Sequence, residues 1–413
     1  MFGILECTSK SRVQGTGLPF RPYGSNEVLT INSKKHKETH VDQWAKVHET
    51  TRELMEVIGP IGEYETECLV LCQMYGVGCK YPSHGIFPSP SVQDTYHAIT
   101  VDGPTTLDRD DAISVVETEE GFRVGVHITD LTRRLPLAWL EWAKSRVSSA
   151  YWETGTKPML PPLLAHGELS LNAGKSYPCI SAFFYYDKKY QYIRMEWDTT
   201  SSVYIDSNKT YDQLETYPYV DVLHHISGTS DPTEVIAWLM IKYNLEAAAF
   251  YPNVLLRVQE EEDTVATYSY DGTHASMNGK VYGHFTSPIR RYADFYNQCV
   301  IQGFFTYHLD ETSLNKVNQR MEQLRQFHYR ETIMSLAYRC KTNPMIVEAM
   351  ITKSEDGRSI QLVSKDLDKK VWIPLYDTYY EEEICGQLTE SHQLVELFGL
   401  HKGGRATLRI RII

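Results

Sequence analysis

The sequence has no excess of positive charge, no long apolar run and no paired-cysteine motif. Its 413 residues carry 41 Lys and Arg against 53 Asp and Glu, a net charge of −12, which excludes electrostatic coating of nucleic acid over the whole surface. No apolar run approaches 18 residues, and Val235–Ile241 is among the longest, so we expect no membrane span. The eight cysteines include no Cys-x-x-Cys spacing. That pattern favours buried thiols in a reducing compartment over a disulfide framework.

The first residues also lack a targeting signal. MFGILECTSKSR has no basic segment followed by an apolar core, so we expect no secretory leader and a cytoplasmic protein. Cys68, Cys72 and Cys79 are too irregularly spaced to favour a structural zinc site. His36 and His40 would supply only half a metal site, and an exposed lysine-rich face is the favoured interpretation. What the chain does contain is 28 tyrosines and 42% hydrophobic residues, which excludes a disordered chain.

The two ends of the chain predict β-rich regions. Short strands with turns are expected over the first 50 residues, a helix over 42–58, and a turn at Gly59–Gly62. The prolines of 81–95 indicate a linker. Residues 341–413 contain five or so short strand-like runs, typical of a small barrel of the OB type.

The middle of the chain mixes strands and helices. Tyr96–Val101 and Phe122–Thr129 are predicted strands on either side of an acidic loop. Helices are predicted over Leu135–Val147, Glu234–Phe250 and 312–337, the last with apolar residues at spacings of three and four. The whole pattern predicts an α+β protein.

The densest group of chemically informative residues is the acidic loop. Four carboxylates fall within ten positions, at Asp102, Asp108, Asp110 and Asp111. Like charges this close raise one another's pKa unless a cation neutralises them. Hard oxygen ligands suit Mg²⁺ or Mn²⁺, and two such ions would clamp the attacking water and the leaving oxygen of a phosphodiester. A solvated acidic turn is the alternative. An EF-hand fits poorly because Ile113 stands where the calcium loop requires glycine.

A second informative segment is Gly283–Asp294, which reads GHFTSPIRRYAD. Arg290 and Arg291 follow Ser287-Pro288, and a planar guanidinium can grip phosphate oxygens through two hydrogen bonds. An arginine that faces a metal cluster would stabilise the charge that builds during phosphoryl transfer. Taken alone, the segment also fits a surface phosphate contact or an ordinary ion pair.

Together these segments resemble the RNB catalytic domain of the ribonuclease II and ribonuclease R family. The resemblance covers residues 96–340 and rests on motifs in the family's order: Ala98–Ala112 (AITVDGPTTLDRDDA), Gly125–Leu131 (GVHITDL), Pro158–Pro161 (PMLP), Ser170–Asn172 (SLN) and His284–Tyr292 (HFTSPIRRY). It implies an RNB core, a mixed sheet packed with helices, flanked by small β-barrels. The implied domains are a cold-shock or OB-like RNA-binding region over 1–95, the RNB domain over 96–340 and a shortened S1-type OB barrel over 341–413.

The resemblance implies a 3′→5′ exoribonuclease that hydrolyses single-stranded RNA to nucleoside 5′-monophosphates with Mg²⁺, or with Mn²⁺ in its place. It assigns catalysis to Asp108, Asp110 and Arg290, and metal binding to all four aspartates of the acidic loop. Tyr151, just before PMLP, matches the aromatic that stacks on the terminal base. The other expected RNA contacts are His284, Ser287, Arg291, Arg405 and Arg409, and a basic patch at Lys34–Lys37 would guide the strand.

The sequence departs from the family where paired glutamates usually contact the terminal ribose. Ala237 and Trp238 stand at those positions, and the family's RVHEPP reads RVQEEE over 257–262. This keeps a DNA-directed nuclease or a metal phosphatase open as a further interpretation. The chief alternative is a catalytically inactive RNB-like protein that binds RNA or acts as a scaffold. We expect a monomer, and the room for only one N-terminal barrel leaves a place for a protein partner that completes the RNA channel.

Overall fold

The computed structural model describes residues 1–7, 17–25, 27–32, 41–78, 80–88, 96–262, 264–305, 308–354, 359–367, 370–375, 384, 387–389, 391–402 and 405–413. The basic patch at Lys34–Lys37 and the pair His36 and His40 lie outside these residues, as does the side chain of Arg405.

Strands make up much of the described chain. In chain order they are β1 (Phe2–Leu5), β2 (Gly17–Pro22), β3 (Leu29–Asn32), β4 (Gln43–Val47), β5 (Leu54–Pro60), β6 (Tyr96–Asp102), β7 (Asp111–Glu117), β8 (Gly121–Thr129), β9 (Ala150–Trp152), β10 (Gly155–Lys157), β11 (Ser176–Asp187), β12 (Tyr192–Asp198), β13 (Ser202–Thr210), β14 (Leu256–Val258), β15 (Thr267–Ser269), β16 (Met345–Lys353), β17 (Ser359–Ser364), β18 (Val371–Pro374), β19 (Gln393–Lys402) and β20 (Arg405–Ile412).

Helices connect the sheets. They are α1 (Tyr64–Met74), α2 (Ala138–Arg146), α3 (Val220–Ser227), α4 (Pro232–Phe250), α5 (Tyr292–Ile301) and α6 (Glu311–Thr342). The predicted helices over Leu135–Val147, Glu234–Phe250 and 312–337 are therefore confirmed as α2, α4 and α6. No helix in the described part of the chain is both long enough and apolar enough to cross a membrane.

The chain forms two compact units. The first unit contains Met1–Cys79, Tyr151–Thr156 and Gln323–Ile413, and the second contains Lys80–Ala150 and Lys157–Glu322. The division into domains 1–95, 96–340 and 341–413 stays a prediction.

The N-terminal part of the first unit is an antiparallel sheet in the order β3-β2-β1-β4-β5. The helix predicted over 42–58 is wrong, because β4 and β5 form a hairpin there. Trp44 of β4 is fully buried against Ile4 and Val70, and Arg52 makes the turn with a positive φ of 55°. The polar and apolar pattern of this segment allows either a helix or a hairpin, and burial of Trp44 in this core favours the hairpin.

The C-terminal part of the first unit is a second antiparallel sheet, in the order β18-β17-β16-β19-β20. Helix α6 lies directly on it, because a Cβ at Gly399 would meet the carbonyl oxygen of Ala337. The buried carboxylate of Glu67 in α1 accepts hydrogen bonds from the Tyr338 hydroxyl at 3.0 Å and from the Ala406 backbone N–H of β20 at 3.2 Å. One acidic side chain thus joins α1, α6 and the last strand.

The second unit is built on a mixed sheet in the order β12-β11-β13-β6-β7-β8. Strands β13 and β6 run parallel, and β11 also pairs with β8, so β6, β7, β8, β11 and β13 close into a ring. One face packs against α4 through Val235, Leu239 and Tyr243. The α+β class, with a mixed sheet packed with helices, is confirmed.

Candidate active site

The acidic loop is carried by neighbouring strands of the mixed sheet. Asp102 is the last residue of β6 and Asp111 is the first residue of β7. Since β6 and β7 pair in antiparallel fashion, the end of one and the start of the other lie at the same edge. The Asp110 carbonyl accepts a 2.9 Å hydrogen bond from the Thr129 N–H at the end of β8. The sheet therefore fixes both ends of the loop.

The SLN segment holds the middle of the loop. The buried Ser170 hydroxyl donates to the Leu107 carbonyl at 2.8 Å and accepts from the Arg109 N–H at 3.0 Å. The Leu171 N–H donates to the Arg109 carbonyl at 3.0 Å, and the Arg109 guanidinium donates to Asn172 Oδ1 at 3.1 Å. Reasoning from the sequence matched this motif to a family but missed that it supports the loop, since only folding brings it there.

The arginine segment meets the acidic loop from far along the chain. The Ile289 N–H donates to Asp110 Oδ1 at 2.7 Å, and Arg290 Nε lies 3.4 Å from Asp110 Oδ2. Asp110 is 2% exposed, whereas the Arg290 side chain is 44% exposed. The carboxylate is therefore fixed in the interior and the guanidinium stands at the open side of the site.

Other contacts set the shape of the arginine segment. Arg290 Nη2 donates to Ser287 Oγ at 2.9 Å, and the Arg290 carbonyl accepts from the Ser149 N–H at 2.9 Å. Arg291 turns to the buried Asp294, with Nη2 2.8 Å from Oδ1. Asp294 also accepts from the Ser287 N–H at 2.7 Å. Ser287 thus orients Arg290 within this structure.

The charges of the loop act on one another. Burial raises the pKa of Asp110 well above its usual value; Arg290 opposes this rise and Asp108 adds to it. Burial and then the charge of Asp102 raise the pKa of Asp111 to about 7. Burial also raises the pKa of Asp102, while a hydrogen bond from Thr100 opposes the rise. A cation would lower all of these pKa values.

Two observations test whether these residues fit a divalent ion. Asp102 Oδ2 and Asp110 Oδ2 are buried and accept no hydrogen bond within the described residues. Each faces a guanidinium, Arg109 Nε at 3.9 Å and Arg290 Nε at 3.4 Å, so both oxygens keep lone pairs that a cation could use. However, nowhere in the described chain do three or more Asp, Glu, His or Cys side chains gather into a ready-made cage. Mg²⁺ needs only one or two carboxylates when water and phosphate complete its shell. The donor set therefore fits such an ion.

Tyr211 is a neighbour of the acidic loop that the sequence reasoning missed, because Thr210, the residue before it, pairs with Asp102 at the end of β6. Burial raises the pKa of Tyr211, and the charges of Asp102 and Asp111 raise it further. The residue starts a 3₁₀ turn directly after β13, the parallel neighbour of β6. No feature of the sequence near Tyr211 distinguishes it from the other tyrosines.

The remaining predicted RNA contacts lie in different places. His284 is in the second unit, where its Nδ1 lies 2.9 Å from the Tyr268 hydroxyl; burial and then Arg291 lower its pKa well below the usual value. Tyr151 and Arg409 belong to the first unit. Tyr151 is 43% exposed, and Arg409 lies on β20 opposite Phe398.

Known proteins with similar sequence or fold include nucleases and a pseudonuclease. DIS3-like exonuclease 2 of Schizosaccharomyces pombe is 31% identical over 145 residues, which are 33% of this chain and 16% of that protein. The chain thus spans a small part of that relative. The structure of Mycoplasma genitalium RNase R in complex with double-stranded RNA shares the fold, with a TM-score of 0.72 at 14% identity over 100% of this chain and 95% of that one. Yeast Ssd1, described as a pseudonuclease, has a TM-score of 0.70 at 11% identity over 97% of this chain and 83% of that one.

The sequence pattern of the RNB domain matches residues 93–221 and 222–307, which together are just over half of the chain. These segments include the acidic loop, the SLN segment and the arginine segment. The chain belongs to the RNB domain family.

Proposed function

We propose that this protein is a 3′→5′ exoribonuclease that hydrolyses single-stranded RNA to nucleoside 5′-monophosphates with a divalent metal. The observation that carries the proposal is the contact of Asp110 with Ile289 and Arg290, which sets a guanidinium beside a buried carboxylate of the acidic loop. The names of the similar proteins, an exonuclease and RNase R, support the same activity.

The four aspartates of the acidic loop would hold Mg²⁺, with Mn²⁺ as a substitute. When bound, such ions polarise the phosphodiester and lower the pKa of water. The protein's own part is to keep the carboxylates in place: Ile289 holds Asp110, and Ser170 fixes the backbone on either side of Asp108. Asp108 and Asp110 act as the catalytic carboxylates.

Arg290 would bind the scissile phosphate. Its side chain is the exposed member of the pair with Asp110, so its outer nitrogens can form two hydrogen bonds with phosphate oxygens. Ser287 holds one nitrogen in a fixed direction. The charge of Arg290 would then stabilise the negative charge that develops on the phosphate during hydrolysis.

Each unit supplies residues that we predict to contact RNA. The exposed ring of Tyr151 would stack on a base, a contact worth roughly 1–3 kcal/mol and tolerant of sequence. His284, Ser287 and Arg291 would line the path near the phosphate, and Arg405 and Arg409 would guide the strand across a region over 341–413 that acts as a shortened OB barrel. The region over 1–95 would act as the N-terminal RNA-binding barrel. We propose a cytoplasmic monomer whose RNA channel a protein partner completes.

An inactive RNA-binding or scaffold protein is the second candidate. The similarity of fold to Ssd1, a pseudonuclease, favours it. This candidate predicts RNA binding without release of mononucleotides under any metal condition.

An end-labelled single-strand assay separates the two candidates. Labelled RNA and DNA of equal sequence are incubated with Mg²⁺, with Mn²⁺ and with EDTA, and product length is followed. The exoribonuclease releases mononucleotides from RNA only when metal is present. Intact RNA in every condition would reject the enzyme, and equal degradation of DNA would assign a general nuclease.

A further inference from the structure

A cavity of about 370 Å³ lies within the first unit, a volume typical of small-molecule sites. The β9–β10 turn, helix α6 and the C-terminal sheet enclose it. Its lining residues are Tyr151, Trp152, Glu153, Glu331, Thr332, Ser335, Leu336, Arg339, Met345, Asp366, Leu367 and Val371.

The polar lining includes Thr332, Arg339 and Asp366, and two further carboxylates, those of Glu153 and Glu331, lie together on one side of the cavity. Glu331 is 6% exposed, and its Oε1 accepts from the Tyr64 hydroxyl at 2.7 Å and from the Glu153 N–H at 3.1 Å. The Ser335 hydroxyl donates to Glu153 Oε2. These bonds use one oxygen of each carboxylate. The other two oxygens, Glu153 Oε1 and Glu331 Oε2, accept nothing from the described residues, although an ionised carboxylate offers about four acceptor positions.

The remaining walls suit a flat ring. Leu336 and Val371 are buried apolar residues, and Tyr151 offers a 43% exposed phenol ring. Base-to-aromatic stacking stabilises any planar heterocycle in such a place. The matching ligand is therefore an aromatic heterocycle with hydrogen-bond donors on the edge that faces the Glu153 and Glu331 carboxylates.

Among the RNA bases, guanine meets this requirement. Its Watson–Crick edge presents the N1–H and N2–H₂ donors side by side, which match the two oxygens of one carboxylate in a bidentate contact. Adenine, cytosine and uracil each place an acceptor beside their donor, and that lone pair would face a carboxylate oxygen. Hypoxanthine is disfavoured for a different reason: it lacks the N2 amino group of guanine, so only its N1–H can donate to the carboxylate.

We propose that this cavity binds guanine, with the Glu153 carboxylate accepting from N1–H and N2–H₂ and the Tyr151 ring stacking on the base. Ser335 holds that carboxylate, and Glu331 holds the Glu153 backbone. The guanine comes either from a free nucleotide or from a nucleoside within an RNA strand. Binding requires none of the aspartates of the second unit, so it goes beyond the proposed hydrolysis and can be measured without it.

The first test measures binding of 5′-GMP and 5′-IMP to the full chain in EDTA by isothermal titration calorimetry. GMP is expected to bind about tenfold more tightly than IMP, the discrimination of one bidentate pair. Equal affinity for GMP, IMP and AMP overturns the proposal. This comparison uses the wild-type protein, so it does not depend on whether any variant folds.

The second test uses two matched variants. Glu153→Gln keeps the shape of the side chain but replaces one acceptor with a donor, and should weaken GMP binding by about tenfold while leaving IMP binding less changed. Glu348→Gln alters an exposed glutamate on β16 and should leave both affinities unchanged. Unchanged GMP affinity in a folded Glu153→Gln variant, as checked by thermal unfolding, refutes the assignment of Glu153.

A third measurement distinguishes the two sources of guanine. Oligouridylates that contain one guanosine or one inosine are compared in EDTA, where hydrolysis does not occur. A preference for guanosine within the strand assigns recognition of RNA, and a preference confined to free GMP assigns a nucleotide site. No preference in either form overturns the proposal. Selective GMP binding without RNA hydrolysis in Mg²⁺ would reject the proposed enzyme but keep this site.

Discussion

Replacing Asp110 with asparagine removes one charge from the centre of the acidic loop and keeps the shape of the side chain. Oδ1 of asparagine can still accept the hydrogen bond from the Ile289 N–H, which measures 2.7 Å in the wild type. The substitution thus keeps the hydrogen bond that joins the acidic loop to the arginine segment. It removes the negative charge that faces Arg290 at 3.4 Å and one oxygen that would bind a cation.

The structure gives the sign of two effects. The pKa of buried Asp110 lies well above its usual value, so the ionised carboxylate destabilises the metal-free fold at pH 7, and Asp110→Asn should unfold at the same or a higher temperature. Hydrolysis with Mg²⁺ should fall by at least about 10²-fold, equivalent to roughly 2.7 kcal/mol of transition-state stabilisation, as for loss of one preorganised electrostatic group.

The assay follows end-labelled single-stranded RNA in Mg²⁺, together with RNA binding in EDTA. Asp271→Asn, at an exposed position of the same unit, is the matched control and should keep the wild-type rate. Asp110→Asn should retain RNA binding. A wild-type rate for Asp110→Asn in Mg²⁺ would refute the metal assignment, and a large loss of thermal stability would refute the argument from burial.

Further predictions concern the support of the site and the core. Ser170→Ala removes both hydrogen bonds to the acidic loop, so the free energy of unfolding measured with urea should fall by about 1–3 kcal/mol and hydrolysis should slow. An unchanged rate would show that the loop keeps its conformation without Ser170. Arg290→Lys should lower the rate by about tenfold or more because lysine cannot bind phosphate in a fork, whereas Arg194→Lys on β12 should not. Burial lowers the pKa of His127 from 6.5 to about 3. Its stability contribution is therefore complete above pH 6.5 and is lost as the pH falls towards 3, and His127→Gln should reduce this decline in denaturation curves measured from pH 7 to pH 4.

The sequence singled out the two segments that meet in the proposed site, but not the contacts that hold them together. The acidic loop and the arginine segment could be recognised because each concentrates unusual residues within a short stretch. Their meeting at Asp110 and Ile289 joins positions 179 residues apart, which no local pattern encodes. The support from Ser170 was missed for the same reason. The helix predicted over 42–58 failed because burial of Trp44 overrides local preference.

The cavity of the first unit could not be predicted from the sequence either, because its polar residues are distant from one another along the chain. Glu153 and Glu331 are 178 residues apart, and each taken alone is one of many charged residues in a helix or turn. Their shared hydrogen bond and the nearby Tyr64 hydroxyl exist only in the folded chain. A single residue in each of two distant segments gives no pattern that sequence reasoning can recognise, whereas the acidic loop and the arginine segment each form a recognisable motif.

The hydrogen bonds of Glu67 bear on the order in which the protein folds during synthesis. The Glu67 carboxylate of α1 cannot accept its hydrogen bond from the Ala406 N–H until the ribosome has added 339 more residues. At a translation rate of 5–20 residues per second, this delay is about 17–68 s. The second unit has all its residues once position 322 has been made. It can therefore close first, although the ribosome makes the N-terminal sheet of the first unit before it. Until β20 has been synthesised, the Glu67 side chain of α1, which is buried in the folded protein, lacks one of its hydrogen-bond partners. A chaperone that recognises nascent α1 would therefore have about 17–68 s in which to bind it.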